Sequence, residues 1–410
     1  MAVTALYVHV PFCAQKCRYC DFDSRSFAAC DLDAALDSYF EQLYARLDSF
    51  SDAGTLAQVR TVYIGGGTPS LAGERLVKLA RRISMWCKPV EFTCEANPES
   101  LTAELATALA EAGVTRISLG VQTLDNTELV AIGRIHDANR ALAAIATVKD
   151  TGLDVSCDLM CGLPGQTAAS WQRTLDGVLA AAPHHVSVYP LTLEEGTPLY
   201  RMACRDESLE PDEDFQAACM DVARELLGAA GYHPYEVASY ALDGHECAHN
   251  IAYWTGRGYL GLGRSAAGML DDEDFDRLAG LFPGVAPRGD FHRVRLVQRD
   301  DAATMFDAEY LSRREAAAED LMLACRMTRG VDSDLLVRAS RVIPADELAA
   351  ACDRALELGL ATWVPEHGDT HAGPIASVDV IAGRTCARLA PTHLGWLDGN
   401  VLFELFWDLA

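Results

Sequence analysis

The chain has 410 residues, half of them apolar and 23% charged, which is the balance of a folded globular protein with more than one core. Its formal charge of −25, from 59 acidic against 34 basic side chains, excludes a broad nucleic-acid surface, because phosphate binding needs clustered Lys and Arg. The alanine-rich run at Ala141–Val148 is far short of the ~20 apolar residues of a bilayer span, and Met1–Val10 lacks the basic start and cleavage pattern of a secretory leader, so a soluble, cytoplasmic protein is expected.

In chain order, β-rich runs fall at Leu6–Val10, Thr61–Ile64, Val90–Cys94, Arg116–Val121, Val155–Met160 and Val186–Pro190. Helical patterns separate them at Leu32–Phe50, Glu74–Ser84, Thr102–Ala112, Asn139–Thr151 and Thr167–Ala181, with Asp31, Thr102 and Thr167 as expected N-caps. Strands alternating with helices predict an α/β fold with a parallel sheet, doubly wound or a partial barrel. After Pro190 the rhythm changes. A helix over Glu213–Ala230 leads into a Gly- and aromatic-rich region, Tyr232–Gly268, and Asp271–Gly289 reads as a surface excursion. Helices near Glu315–Met327, Leu335–Ser340 and Ala345–Leu358, short strands and a last helix from Thr392 suggest a smaller mixed α+β, winged-helix-like C-terminal domain.

Fourteen cysteines diluted over a chain this long fit a reducing compartment better than a disulfide scaffold, so most read as small buried hydrophobes. Cys13, Cys17 and Cys20 are different: three thiols within eight residues, directly after a strand. Soft thiolates suit an iron–sulfur cluster or zinc, but three of them leave a four-thiolate zinc site open and no nearby His completes one. On a four-iron cubane, three ligands leave one iron free for another molecule. The plain alternative is three incidental cysteines.

The run Tyr7-Val-His9-Val-Pro11-Phe12-Cys13, with Cys17, Tyr19, Cys20, Asp21 and Phe22, resembles the cluster loop of the radical-SAM superfamily. Within it, the sequence is similar to the branch of oxygen-independent coproporphyrinogen dehydrogenase and the HemW-type heme chaperones. The resemblance implies a radical-SAM partial (β/α)6 barrel, a [4Fe-4S] cluster on the three cysteines, S-adenosyl-L-methionine (SAM) on the open iron, and an electron donor. It assigns SAM contacts to Tyr7 and Tyr19, to Gly66, Gly67 and Thr68 of the glycine turn, and to Glu95. Gln122, Arg134 and Asp158 match positions that hold a second SAM in the dehydrogenase.

A second motif, His249-Asn-Ile-Ala-Tyr253-Trp254, looks like the HNxxYW signature of the HemW type and implies heme at His249, Tyr253 and Trp254. An imidazole can ligate iron and aromatic rings can pack on a porphyrin. Ala248 and Gly268 depart from the Arg and His common there. The implied organisation is a radical-SAM core over 1–231, a heme-associated segment and surface excursion over 232–290, and a C-terminal domain over 291–410. Cys157 and Cys161 on a strand do not suggest another metal site, His184-His185 reads as a solvated pair, and Gly256-x-Gly258-x-x-Gly261 has the wrong context for a dinucleotide fingerprint.

Three functions follow. The expected one is a heme chaperone passing heme to acceptor proteins such as membrane respiratory enzymes. The alternatives are coproporphyrinogen decarboxylation and RNA modification, the last disfavoured by the charge. Phe22 stands where the dehydrogenase carries a further Cys, and six residues precede Tyr7 where it has a substantial segment, so decarboxylation is not expected.

Overall fold

The computed structural model describes residues 3–27, 29–366 and 374–410; Met1 and Ala2, the start of the segment read for a leader, lie outside them. One twelve-stranded sheet organises the chain. Its strands are β1 (Val3–Val10), β2 (Thr61–Gly66), β3 (Glu91–Ala96), β4 (Arg116–Gln122), β5 (Asp154–Cys161) and β6 (His185–Pro190), then β7 (His233–Pro234), β8 (Ser239–Ala241), β9 (Gly258–Leu262), β10 (Ala267–Asp271), β11 (Arg293–Gln298) and β12 (Phe306–Leu311). The order across the sheet is β12-β11-β10-β9-β1-β2-β3-β4-β5-β6-β8-β7. From β9 through β1 to β6 every pairing is parallel, and both flanks are antiparallel.

Alternation along the strands gives this sheet an apolar face and a polar one. Val8, Val62, Ile64, Phe92, Ile117, Leu119, Val155, Leu159, Val186 and Val188 are wholly buried in the main core, which the connecting helices cover. Each such side chain contributes roughly 1.5–3 kcal/mol by leaving water. The intervening residues point the other way and are mostly polar, so the inner face encloses a cavity rather than a second apolar layer.

The expected helices form at Ala29–Asp52, Glu74–Trp86, Ala103–Glu111, Ala138–Asp150 and Ala168–Ala181. Thr102 and Thr167 cap theirs as expected, Thr167 in a reciprocal box with Ser170. Asp31 is not a cap: its helix already begins at Ala29, which leaves the carboxylate in the first turn, where the helix dipole favours it.

Two differences from the sequence reading have physical causes. A seventh parallel strand, β9, joins β1 from the far side; its Gly258-Tyr-Leu-Gly-Leu-Gly run buries Leu260 and Leu262 on one face but is too rich in glycine to read as a strand by composition. Gly261 must be glycine because the Ala267 backbone lies where a Cβ would stand. The acidic stretch after Asp271 is not wholly a surface excursion. It opens with a helix over Asp272–Leu278, capped by Asp271 on the Asp274 N–H, and Phe275 and Leu278 are buried beside Phe282. A separate core gathers Ala318 to Leu409 around helices Arg313–Ala324, Ser333–Ala339, Ala345–Glu357 and Gly399–Trp407, with the antiparallel pair Ala361–Pro365 and Ala387–Pro391.

Candidate functional site

The inward faces of β2 to β6 meet the loop after Phe12–Cys13 around a cavity of about 320 Å³. Cys13, Cys17 and Cys20 all line it, with Tyr19, Gly66, Gly67, Thr68, Glu95, Gln122, Arg134 and Asp158. Eleven of the twelve residues assigned to cluster and SAM are thus brought together. Tyr7 is not among them: its hydroxyl pairs with His9 Nδ1 at 2.9 Å and its ring lines a second cavity.

The cysteine loop is held by backbone and by long side chains. Arg18 N donates to Ile132 O at 2.9 Å, its guanidinium to Ala131 O at 3.0 Å, and Gln15 Nε2 to Gly133 O at 3.0 Å. Two donors face the sulfurs: Arg134 Nη1 lies 3.5 Å from Cys17 Sγ and Thr68 Oγ1 lies 3.7 Å from Cys13 Sγ. Burial raises the Cys13 thiol and pushes Cys20 up to about 11. Metal binding displaces such protons, and the donors then face thiolate charge.

The glycine turn has a reason that the motif alone did not reveal. A Cβ on Gly66 would meet the His9 ring at 2.6 Å, and one on Gly67 would meet Phe12 O at 2.7 Å. Gly66 also has φ +116, a left-handed conformation that costs other residues strain. The close approach demanded here is to the protein's own groups. Glu95 takes the Gly66 N–H at 3.0 Å and the Tyr63 hydroxyl at 2.8 Å; burial, with Asp158 nearby, pushes its carboxyl up to about 7.

Gln122 sits at φ +67 where the β4–β5 register slips, a bulge that turns its side chain into the cavity. Asp158 accepts from Ser118 Oγ at 3.1 Å and burial pushes it up to about 6. Arg134 spans from Cys17 to Gly120 O, and its buried Nε has no hydrogen-bond partner among the described residues. Sequence reasoning missed Tyr63, Thr93, Arg116, Ser118, Ser156, His185, Ser187 and Tyr189, which line the same cavity. The signal was present, since each alternates with a buried apolar residue on its strand. His185 in particular is not solvated: it is 2% exposed, with its nitrogens 2.8 Å from Ser156 Oγ and Tyr235 OH.

The helix Ala248–Trp254 crosses the inner side of the sheet beside this cavity. Buried Glu91 fastens its start, accepting from Ala248 N at 2.7 Å and His249 N at 3.0 Å while Arg116 pairs with it at 3.4 Å. Asn250 faces the cysteine cavity, and Tyr253 and Trp254 face a second one of about 420 Å³ with Tyr7, Tyr259 and Met269. His249 lines neither. It is 1% exposed, Nδ1 pairs with Thr61 Oγ1 at 3.0 Å, and the Tyr63 and Tyr253 rings pack on it at 5.3 and 4.8 Å. Burial lowers its pKa to about 3, so the imidazole is neutral. The placement differs from the expected open iron ligand because the ring fills the layer between sheet and helix.

A model of the Radical SAM superfamily matches residues 7–178. A protein named heme chaperone HemW from Bacillus subtilis (strain 168) is 32% identical, over 79% of this chain and 84% of its own length. Its namesake from Synechocystis sp. (strain PCC 6803) is 34% identical, over 89% of this chain and 87% of its own. The chain belongs to the HemW family of the radical-SAM superfamily. The fold has a counterpart in the solved coproporphyrinogen III oxidase HemN from Escherichia coli, a radical-SAM enzyme, with TM-score 0.74 at 19% identity, covering 99% of this chain and 90% of that one. Superfamily membership implies a [4Fe-4S] cluster and SAM, and the cavity fits both. Three free thiols open onto one space with hydrogen-bond donors at two sulfurs, and unpaired polar atoms remain on Arg134 and Thr93. Among the described residues of this HemW-family chain, no helix is long and apolar enough to cross a membrane.

Proposed function

We propose that this chain is a heme chaperone that carries a [4Fe-4S] cluster on Cys13, Cys17 and Cys20, binds SAM beside it, and passes heme to acceptor proteins. When bound, cluster and SAM together supply one-electron chemistry at an open iron. The chain's own residues position that chemistry. Arg134 and Thr68 donate toward sulfur, Glu95 offers a carboxylate above the glycine turn, and Gln122 and Asp158 stand across the cavity. Heme is the cargo, and the observation that carries the reading is the aromatic second cavity. Its Tyr253 and Trp254 stand on the same short helix whose Asn250 faces the cysteine cavity, so one element borders both. Porphyrin packing falls to those rings, whereas His249, whose Nε2 is buried without a partner among the described residues while Nδ1 is held by Thr61, reaches iron only if the Tyr63 and Tyr253 rings packed on it give way.

Coproporphyrinogen decarboxylation is the second reading, favoured by Gln122, Arg134 and Asp158 lining the cysteine cavity together. One sample separates the two. Reconstituted protein is titrated with heme and, with reductant and SAM, incubated with coproporphyrinogen. A saturable Soret band without protoporphyrinogen is the expected result, and it weakens in Tyr253→Ala and Trp254→Ala. Efficient decarboxylation, or no heme binding, overturns the chaperone reading.

A further inference from the structure

The end of the barrel away from the cysteines holds a cluster that the reading above does not use. Asp154 opens β5, His184 immediately precedes β6, and His245 lies in the turn between β8 and the Ala248–Trp254 helix. One ligand atom from each lies within 4.8 Å of the other two. His245 Nδ1 is 2.9 Å from Asp154 Oδ2, His184 Nδ1 is 3.8 Å from Asp154 Oδ1, and the two imidazoles stack at 4.6 Å.

We propose that Asp154, His184 and His245 form a site for a divalent transition metal of the zinc type. Two imidazoles and one carboxylate are a borderline donor set that suits zinc. With bonds of about 2.0–2.1 Å, a tetrahedral site has ligand edges of about 3.3 Å. His245 Nδ1 is already 2.9 Å from Asp154 Oδ2, His184 Nδ1 lies 3.8 Å from the other carboxylate oxygen, and all three ligand atoms are within 4.8 Å of one another, so an inward shift of roughly 0.5–1.5 Å by His184 closes the site. The main chain fixes the geometry. Leu242 N donates to His184 O at 3.1 Å and Arg116 Nη2 to His245 O at 2.8 Å. Neighbouring cations are already engaged: Arg116 pairs with Glu91, and Lys149 donates to Ala181 O and Ala182 O. Burial also lowers the His184 pKa, which favours the neutral, ligating imidazole. The Val155 N–H, now 3.1 Å from His184 Nδ1, gives up that acceptor when metal takes the nitrogen. All three residues are partly exposed, so a water completes the shell. The metal clamps the turn that leads into the Ala248–Trp254 helix onto the base of the barrel.

The test uses the full chain with Cys13→Ala, Cys17→Ala and Cys20→Ala combined, which removes the clustered thiolates, and with the exposed Cys30, Cys204 and Cys386 changed to Ser, titrated with Co²⁺ and Zn²⁺ by calorimetry and visible absorption. One equivalent of Co²⁺ without a thiolate charge-transfer band is expected. Affinity falls at least tenfold on adding His245→Ala or Asp154→Asn, each checked for an unchanged circular-dichroism spectrum, and persists with His233→Ala, which alters the neighbouring His233–Glu246 pair. No binding, a thiolate-dominated spectrum, unchanged affinity in both site variants, or loss with His233→Ala alone overturns the proposal.

Discussion

At the scale of single residues, the cysteine cavity sets charge against burial. Each of Cys13, Cys17 and Cys20 supplies one of only three protein ligands in the proposed cluster, so replacing any one by Ala removes the iron–sulfur absorbance after anaerobic reconstitution. Cys30 and Cys87 do not line the cavity, and Cys247 lines it without belonging to the triad, so the Ala variants of all three retain the absorbance; iron and sulfide analysis per chain checks both sets. Glu95 gives a sharper test. Its folded pKa of about 7 exceeds the model-compound value of 4.5, so between those pH values the folded chain binds a proton that the unfolded chain has lost. Its contribution to stability is therefore full below pH 4.5 and declines as pH rises through 7. Glu95→Gln removes that decline, and apo-protein melting should show the variant gaining on wild type with rising pH, by about 3 kcal/mol at most. A gap that stays constant from pH 4.5 to 7.5 would contradict the assignment of the shift.

At the scale of elements, turns and strand ends carry the site while the strands' outer faces carry the stability. The glycine turn after β2 illustrates this. Gly66→Val would force a branched side chain into left-handed backbone against the His9 ring, with an expected loss of roughly 2–4 kcal/mol. SAM affinity should fall as well, since the Gly66 N–H that orients Glu95 would move. Urea unfolding and calorimetry on the same preparation read the two effects. A variant that binds SAM normally at wild-type stability would show that the turn tolerates what its geometry excludes. The Ala248–Trp254 helix is too short to be stable alone. Its hold comes from Glu91 at its first N–H groups and from rings packed along it, so its register is a property of the barrel, not of its own seven residues.

For the whole molecule, the second core joins the barrel near the second cavity. Thr328 N donates to Tyr235 O at 3.0 Å, and the Arg326 guanidinium lies 5.1 Å from the Trp254 ring and 4.6 Å from the Phe403 ring. One cation thus links the HNxxYW helix to the C-terminal helix. Arg326→Ala should cost about 1–2 kcal/mol and change the near-ultraviolet signal of Trp254, judged against a Trp254→Phe background. Identical melting and spectra would mean the two cores meet without help from this stack.

Much of this was legible from residue order. Period-two alternation in β1 to β6, the intervening helices and the Cys13–Cys20 spacing determined the parallel α/β wall and the thiol triad, because local periodicity and short-range spacing act before any tertiary contact forms. Tertiary structure alone decided the rest. That β9 pairs with β1 depends on two segments some 250 residues apart, and no local pattern encodes such a pairing. The fate of each histidine was decided in the same way. His249 is sealed by Tyr63, Thr61 and Tyr253, His185 turns into the cavity, and its neighbour His184 faces Asp154 and His245 at the other end of the barrel. An imidazole is ligand, lining or core according to what surrounds it, and those surroundings come from distant parts of the chain.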